Sequence, residues 1–310
     1  MNKLLLLGDL VPQAKQKILD LGYNFDVLPD AQSFAQLSPQ DFPEYEGIIV
    51  RNIEPVDPRF ITELPNLKII ARNGAGTDNV PIELATNSNI WVSNTPGANA
   101  QAVAEHALAL VMYLLKDFGN NKMAKKTDLS KAVGAELHGK TVGVVGWGFI
   151  GKKFAEIMSV LGANVIFYNR SKRTTDFAKQ VELDELFSTS DIISLHIPVT
   201  VDTKYLVTSE LIRKTKKQPI LINTSRGELV KNSVLLNGLQ EGLLKAVGLD
   251  VYDNDEASLE ELIANPSVII TNHSAALTTE SLEAMAFGAI ENVDAAIKQG
   301  KPLNPINALN

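Results

Sequence analysis

Apolar positions along the chain fall into two alternating kinds of run. Short β-rich stretches of four or five residues alternate with longer amphipathic stretches, which is the pattern of an α/β chain. In the first third, the short runs predict strands at Lys3–Leu7, Tyr23–Val27, Gly47–Val50, Lys68–Ala71 and Ile90–Ser93, with helical segments such as Pro12–Leu21 and Pro58–Leu64 between them. A long apolar stretch of helical character, Gln101–Leu115, follows. A second series then predicts strands at Thr141–Val145, Asn164–Tyr168, Asp191–Leu195, Pro219–Asn223, Ala246–Leu249 and Ser267–Thr271. Leu282–Lys298 reads as one helix, and Pro302 and Pro305 keep the tail extended. Two doubly wound parallel-sheet units follow from this order, with a break at the turn-rich Asn94-Thr95-Pro96-Gly97. The pattern alone leaves open which unit receives the last helix.

Composition narrows the picture. The 310 residues suit two domains of ~150. A formal charge of −7 argues against a nucleic-acid scaffold, which would carry a basic stripe. Apolar residues at 45% and charged residues at 21% are ordinary for a globular chain. The chain has no cysteine, which removes disulfides, thiolate metal sites, thiol nucleophiles and iron–sulfur clusters together. Asp9 cuts off the apolar run Leu4–Leu7 before it is long enough for a signal peptide, and Ala107–Leu115 falls far short of the ~20 residues that span a bilayer. The expectation is a soluble cytoplasmic protein that binds neither nucleic acid nor membrane.

In open parallel sheets, ligands bind beyond the carboxyl ends of the strands. In the second series those ends carry Gly146-Trp147-Gly148-Phe149-Ile150-Gly151, then Asn169-Arg170-Ser171, His196, Thr224-Ser225-Arg226, Asp250 and His273. The first is a G-x-G-x-x-G that follows a β run and opens a helical run, the context in which that motif binds a dinucleotide pyrophosphate. Where an NAD site places a carboxylate for the ribose 2′-hydroxyl, this chain has Asn169 followed by Arg170, with Lys172 and Arg173 close by. A guanidinium there can fork a 2′-phosphate, so NADP(H) acceptance is predicted; solvated surface cations beside an NAD(H) site are the alternative. Arg226 and His273 make a pair suited to carbonyl reduction, a fixed cation for the forming alkoxide and an acid poised near neutral pH. Asp255 and Glu256 are the nearest carboxylates for orienting His273. His196, beside Pro198, is expected to pack against cofactor, His106 to be core or interface, and His138 to lie in a loop. In the first series, Arg51 follows one strand, and Asn73-Gly74-Ala75-Gly76 follows another as a glycine-rich loop able to cradle an anion or form a plain turn.

These residues together resemble the D-isomer-specific 2-hydroxyacid dehydrogenase family. The resemblance runs over nearly the whole chain, through Gly74-Ala75-Gly76-Thr77-Asp78-Asn79-Val80, Val103-Ala104-Glu105-His106-Ala107, the glycine fingerprint, Ser194-Leu195-His196-Ile197-Pro198, Ile222-Asn223-Thr224-Ser225-Arg226-Gly227, Gly248-Leu249-Asp250-Val251 and Thr271-Asn272-His273. It implies a flavodoxin-like substrate-binding domain of residues 1–95 and 284–310, a Rossmann NAD(P)-binding domain of residues 96–283, and an interdomain cleft. It implies that Arg226 binds and polarises a 2-oxo acid, that His273 is the acid/base, and that Asp250 meets the nicotinamide amide. NAD(P) would lie along Gly146, Gly148, Phe149, Ile150, Gly151, Asn169, Arg170, Ser171, His196, Pro198, Thr203 and Thr224. Arg51, Asn73, Gly74, Ala75 and Gly76 would meet the substrate together with Arg226. A homodimer is usual in the family. One departure stands out: the family's glutamate five residues after Asp250 is Asp255 here, and Glu256 replaces the proline that commonly follows.

Arg51 and Arg72 resemble positions of 3-phosphoglycerate dehydrogenases, the first helping to hold a phosphate; the bland alternative is that Arg51 caps a strand end or pairs with Asp57. A short form of that enzyme, without a serine-sensing domain, is the leading expectation. An NADPH-dependent glyoxylate or hydroxypyruvate reductase comes second, favoured by Asn169-Arg170. Outside catalysis stand a nucleotide-sensing corepressor and a silent NAD(P) binder.

Overall fold

The computed structural model describes residues 3–51, 54–121 and 133–309. The chain forms two compact units, Met1–Asn99 with Thr278–Asn310, and Ala100–Leu277.

The first unit contains β1 (Lys3–Leu7), α1 (Pro12–Asp20), β2 (Asn24–Leu28), β3 (Tyr45–Val50), α2 (Arg59–Thr62), β4 (Ile69–Arg72), α3 (Ile82–Asn87) and β5 (Trp91–Ser93). Its five strands are parallel in the order β2-β1-β3-β4-β5, and the order reverses between β1 and β3. The leucine run of β1 explains why it lies inside the sheet. Leu4 and Leu6 face one apolar cluster, Leu5 and Leu7 the other, and all four are fully buried. A strand covered on both faces reads as an unbroken apolar run. The last helix of the chain, Thr279–Gln299, joins this unit and lays Ala286, Ala289, Ile290, Val293 and Ala296 against Leu4, Leu6, Ile49 and Ile69. Thr278 caps it by accepting from the Ser281 N–H, and Gly300 at φ 79° ends it.

The second unit runs α4 (Ala100–Leu115), α5 (Phe118–Asn121), β6 (Thr141–Val145), α6 (Phe149–Val160), β7 (Asn164–Tyr168), β8 (Lys179–Gln180), α7 (Leu183–Thr189), β9 (Ile192–Leu195), α8 (Ser209–Arg213), β10 (Ile220–Asn223), α9 (Asn232–Gln240), β11 (Ala246–Leu249), α10 (Glu256–Ala264) and β12 (Val268–Ile270); helix Thr279–Gln299 is α11. Seven parallel strands lie in the order β12-β11-β10-β9-β6-β7-β8. Their sequence reverses between β6 and β9, the switch point beyond which such sheets bind ligands. Helices α4 and α6 cover one face with Leu110, Val111, Phe154 and Met158. Residues of α7, α8 and α9, including Phe187, Ile212 and Leu235, cover the other. Both sheets are therefore of the doubly wound parallel type that the alternation predicts. Strand β8 has only two residues and escaped prediction, because two residues carry no periodicity. The expected helix at Pro58–Leu64 is a single turn, α2. Among the described residues, no helix is long and apolar enough to cross a membrane.

Candidate active site

The turn after β6 is shaped by its glycines. Gly146 sits at φ +104°, and a Cβ there would lie 2.5 Å from the carbonyl oxygen of His196. A Cβ on Gly151 would lie 2.1 Å from the Gly146 oxygen, so this glycine lets α6 close on the strand. Gly148 differs from both. It is the N-cap of α6, no side chain caps the helix there, and its Cβ would meet open space. The first N–H groups of a twelve-residue helix are thus left for an outside acceptor, together with the positive end of its dipole. Phe149 is 66% exposed and Ile150 half-buried, while Gly151 is buried. Trp147 turns inward and stacks on Phe167 at 3.8 Å between ring centroids.

After β7, Asn169 ties the next loop to this turn. Its Oδ1 accepts from the Trp147 N–H at 3.3 Å, and its Nδ2 donates to the Ser171 carbonyl at 2.9 Å. Gln180 of β8 donates to the Asn169 and Ser171 carbonyls and accepts from the Arg173 N–H. The short edge strand therefore braces the loop, and Arg170, Ser171, Lys172 and Arg173 project as exposed side chains.

After β9, His196 is buried, with its ring against Phe154 and Nε2 2.8 Å from the Ser194 hydroxyl. Burial pushes its pKa down to about 3, so the ring is neutral at working pH. Its Nδ1 has no partner among the described residues. Thr203 donates to the Pro198 carbonyl at 2.7 Å and accepts from the Thr200 N–H, which closes the loop over residues 198–203.

Arg226, Asp250 and His273 follow β10, β11 and β12, three neighbouring strands, so the outer two leave the sheet about 10 Å apart. Asn223 braces the first of these ends. Its Oδ1 accepts from the Ser225 N–H and its Nδ2 donates to the Arg226 carbonyl. Gly227 packs against the next loop, where a Cβ would lie 1.9 Å from the Tyr252 carbonyl oxygen. The Arg226 guanidinium donates to the Ser225 carbonyl at 2.7 Å. Thr224 is buried, and its hydroxyl has no partner among the described residues.

Asp250 is 1% exposed. Its carboxylate accepts from the Thr271 hydroxyl at 2.5 Å, the Ser274 N–H at 2.8 Å and the Ala275 N–H at 3.0 Å. Its carbonyl accepts from the His273 N–H at 2.9 Å. Asp250 thereby ties down the turn that carries His273. His273 is exposed and sits at φ +48°, a left-handed backbone that a non-glycine residue adopts only when its surroundings hold it there. Asp255 stands at the N-terminus of α10 with its Oδ2 accepting from the Ser258 hydroxyl, and Glu256 opens that helix, exposed. His106 of α4 points at Thr271, with its Nε2 2.9 Å from the hydroxyl oxygen and 3.5 Å from Asp250. Sequence reasoning placed His106 in core or interface. Nothing in local spacing links it to a threonine 165 positions away.

The first unit has its own feature at its switch point. Asp9, Leu10, Val11, Arg51, Asn73 and Leu282 line a cavity of about 160 Å³ beyond β1, β3 and β4. Arg51 donates to the Asp9 carbonyl at 3.1 Å, whereas Asp57 pairs with Arg59 at 2.6 Å. The side chain of Asp9 is matched by Lys15 at 3.0 Å. Asn73 is buried, and its Oδ1 has no partner among the described residues. In the loop that follows, the Gly74 N–H is shared by the Thr95 hydroxyl and the Arg72 carbonyl. No acceptor for the Ala75 or Gly76 N–H stands among the described residues.

The family model for the NAD-binding domain of D-isomer specific 2-hydroxyacid dehydrogenases matches residues 108–275. A hydroxypyruvate reductase of Thermotoga maritima is 35% identical over 81% of this chain and 84% of its own length. A D-3-phosphoglycerate dehydrogenase of Mycobacterium leprae is 34% identical over 82% of this chain, which spans only half of that protein. Among solved structures, a glyoxylate reductase from Paecilomyes thermophila superposes with a TM-score of 0.87 at 29% identity, covering 98% of both chains. The glycine turn, the uncapped helix behind it and the three neighbouring strand ends therefore sit in a chain that belongs to the D-isomer specific 2-hydroxyacid dehydrogenase family of NAD(P)-dependent oxidoreductases.

Proposed function

We propose that the protein transfers a hydride between NAD(P) and C2 of a D-2-hydroxy acid or the matching 2-oxo acid, with Arg226 and His273 as its catalytic residues. The observation that carries this reading is the placement of Arg226, Asp250 and His273 beyond three neighbouring strands of the sheet whose first strand leads into the glycine turn. In this reading, Gly146, Gly148, Phe149, Ile150 and Gly151 hold the pyrophosphate, Thr224 and the 196–203 loop face the nicotinamide half, and the bound cofactor supplies or accepts the hydride. Arg226 grips the carboxylate and the oxygen at C2, where it offsets the charge that grows as the carbonyl is reduced. His273 gives that oxygen its proton and takes it back in the oxidative direction. Residues 100–277 form the nucleotide unit and the remainder the substrate-binding unit. The Ala75 and Gly76 N–H groups are proposed to donate to a substrate carboxylate. Support for His273 from Asp255 or Glu256 remains part of the proposal, tested by comparing Asp255→Asn with Glu256→Gln.

We further propose a substrate with a second anionic group, of the 3-phosphoglycerate and phosphohydroxypyruvate type. The support is the Arg51 cavity. One guanidinium N–H is anchored on the Asp9 carbonyl, no other hydrogen-bond acceptor for the guanidinium stands among the described residues, and Lys15 offsets the Asp9 carboxylate. Arg51→Ala is expected to lower kcat/KM for the phosphorylated substrate about 10- to 100-fold, the worth of a charge-assisted bond, and to leave glyoxylate within about threefold. Equal losses on both substrates would remove the second-anion reading. The second reading, an NADPH-dependent glyoxylate or hydroxypyruvate reductase, is favoured by the exposed basic loop at 170–173, and the same substrate panel with both cofactors separates the two. A cytoplasmic homodimer completes the proposal; a mass of one 33.7 kDa chain by light scattering would contradict the dimer.

A further inference from the structure

We propose that His106, on α4, is a positioning residue that sets the conformation of His273 through Thr271 and Asp250. The inference rests on His273 being the acid/base of the proposed reaction.

The chain of contacts has a defined direction. The Asp250 carboxylate already accepts two main-chain N–H groups, from Ser274 and Ala275. At 2.5 Å, the Thr271 hydroxyl gives its single proton to Oδ1 of the same carboxylate. The Thr271 oxygen can then only accept from the His106 ring 2.9 Å away, so Nε2 of His106 carries a proton. The relay therefore runs from the His106 N–H to Thr271, from the Thr271 hydroxyl to Asp250, and from Asp250 to the backbone on both sides of His273. The His273 N–H donates to the Asp250 carbonyl and the next two N–H groups donate to its carboxylate. A left-handed histidine persists only where such bonds over-determine it. His106 has 21% of its side chain exposed and Asp250 1%, so little water competes with the relay. Without the His106 donor, the Thr271 hydroxyl is free to turn and the carboxylate loses the partner that aligns it.

Such a residue acts on the chemical step and not on cofactor affinity. His106→Leu keeps the bulk and removes the donor. It is expected to lower kcat about 10- to 100-fold, the cost of a small misplacement of a reacting group, with KM and the NADPH dissociation constant within about twofold. His106→Gln, whose amide N–H reaches a similar point, is expected to return kcat to within about threefold of the parent. Thr271→Val breaks the same relay without touching α4, and the double variant should lose no more than either single one. His273→Asn serves as the reference. If His273→Asn retains activity, the acid/base reading itself fails. If it abolishes activity while folded His106→Leu and Thr271→Val keep kcat within threefold, the positioning role is overturned; a loss that Gln does not rescue overturns it equally.

Discussion

At the scale of single residues, the glycine fingerprint contains two kinds of position that a motif treats alike. Gly151 is required by the fold, since a methyl there would enter the Gly146 carbonyl. Gly148 has a φ of −83° and open space around it, so alanine fits the backbone and the cost falls on whatever approaches the helix end. Gly148→Ala is therefore expected to melt within about 2 °C of the parent while its NADPH dissociation constant rises tenfold or more, read by fluorescence titration. Gly151→Ala should lose stability outright, by several kcal/mol as measured by urea unfolding, as overpacked sites do. The reverse pattern would contradict the assignment. His196 carries a second prediction. Its pKa near 3 lies below the ordinary 6.5, so between these values the unfolded chain binds a proton that the folded one does not. Folding stability must then fall as the medium is acidified below pH 6.5. At pH 5, the deficit from this group alone is about 2 kcal/mol. In His196→Gln, the loss of stability between pH 7 and pH 5 should shrink by about that amount; an unchanged pH slope would place the titration elsewhere.

At the scale of elements, the strands that build the sites were legible because buried parallel strands concentrate apolar residues, as in Leu4–Leu7 and Val142–Val145. The candidate site residues are singled out because they stand just beyond such strands, where sheets of this kind hold ligands. Other features were hidden for physical reasons. Strand β8 is too short to show a period, yet its Gln180 sets the shape of the 169–173 loop. The His106–Thr271–Asp250 relay joins a helix to two strand ends remote in sequence, and no spacing rule spans that distance. The ring of His196 lies buried against Phe154, a packing partner that its place after a strand does not disclose. The basic loop supports one more prediction. Asn169 is held by Trp147 and Ser171, and in the proposed NADP(H) reading the exposed Arg170 beside it would meet the 2′-phosphate. Arg170→Ala should lower kcat/KM with NADPH about tenfold and leave NADH within about twofold, consistent with loss of one charge-assisted contact. An equal change for both cofactors would make the loop a solvated surface.

At the scale of the molecule, each unit is a parallel sheet with a reversal of strand order. The second unit holds the glycine turn, Arg226 and His273, and the first holds a cavity with Arg51 at its edge. The alternation of runs made both sheets legible, including the assignment of doubly wound order. The return of the last helix to the first unit was legible only through the family resemblance, because its amphipathic face alone does not say which sheet it covers; Ala286, Ala289 and Ala296 show how closely it packs there. The most direct test is kinetic. Steady-state reduction of hydroxypyruvate and phosphohydroxypyruvate by NADPH and NADH should be compared between the parent and Arg226→Ala, with cofactor binding measured alongside. We predict a fall in kcat/KM of at least about 100- to 1,000-fold, as for removal of an oxyanion donor, with the NADPH dissociation constant nearly unchanged. A loss under tenfold would contradict the account.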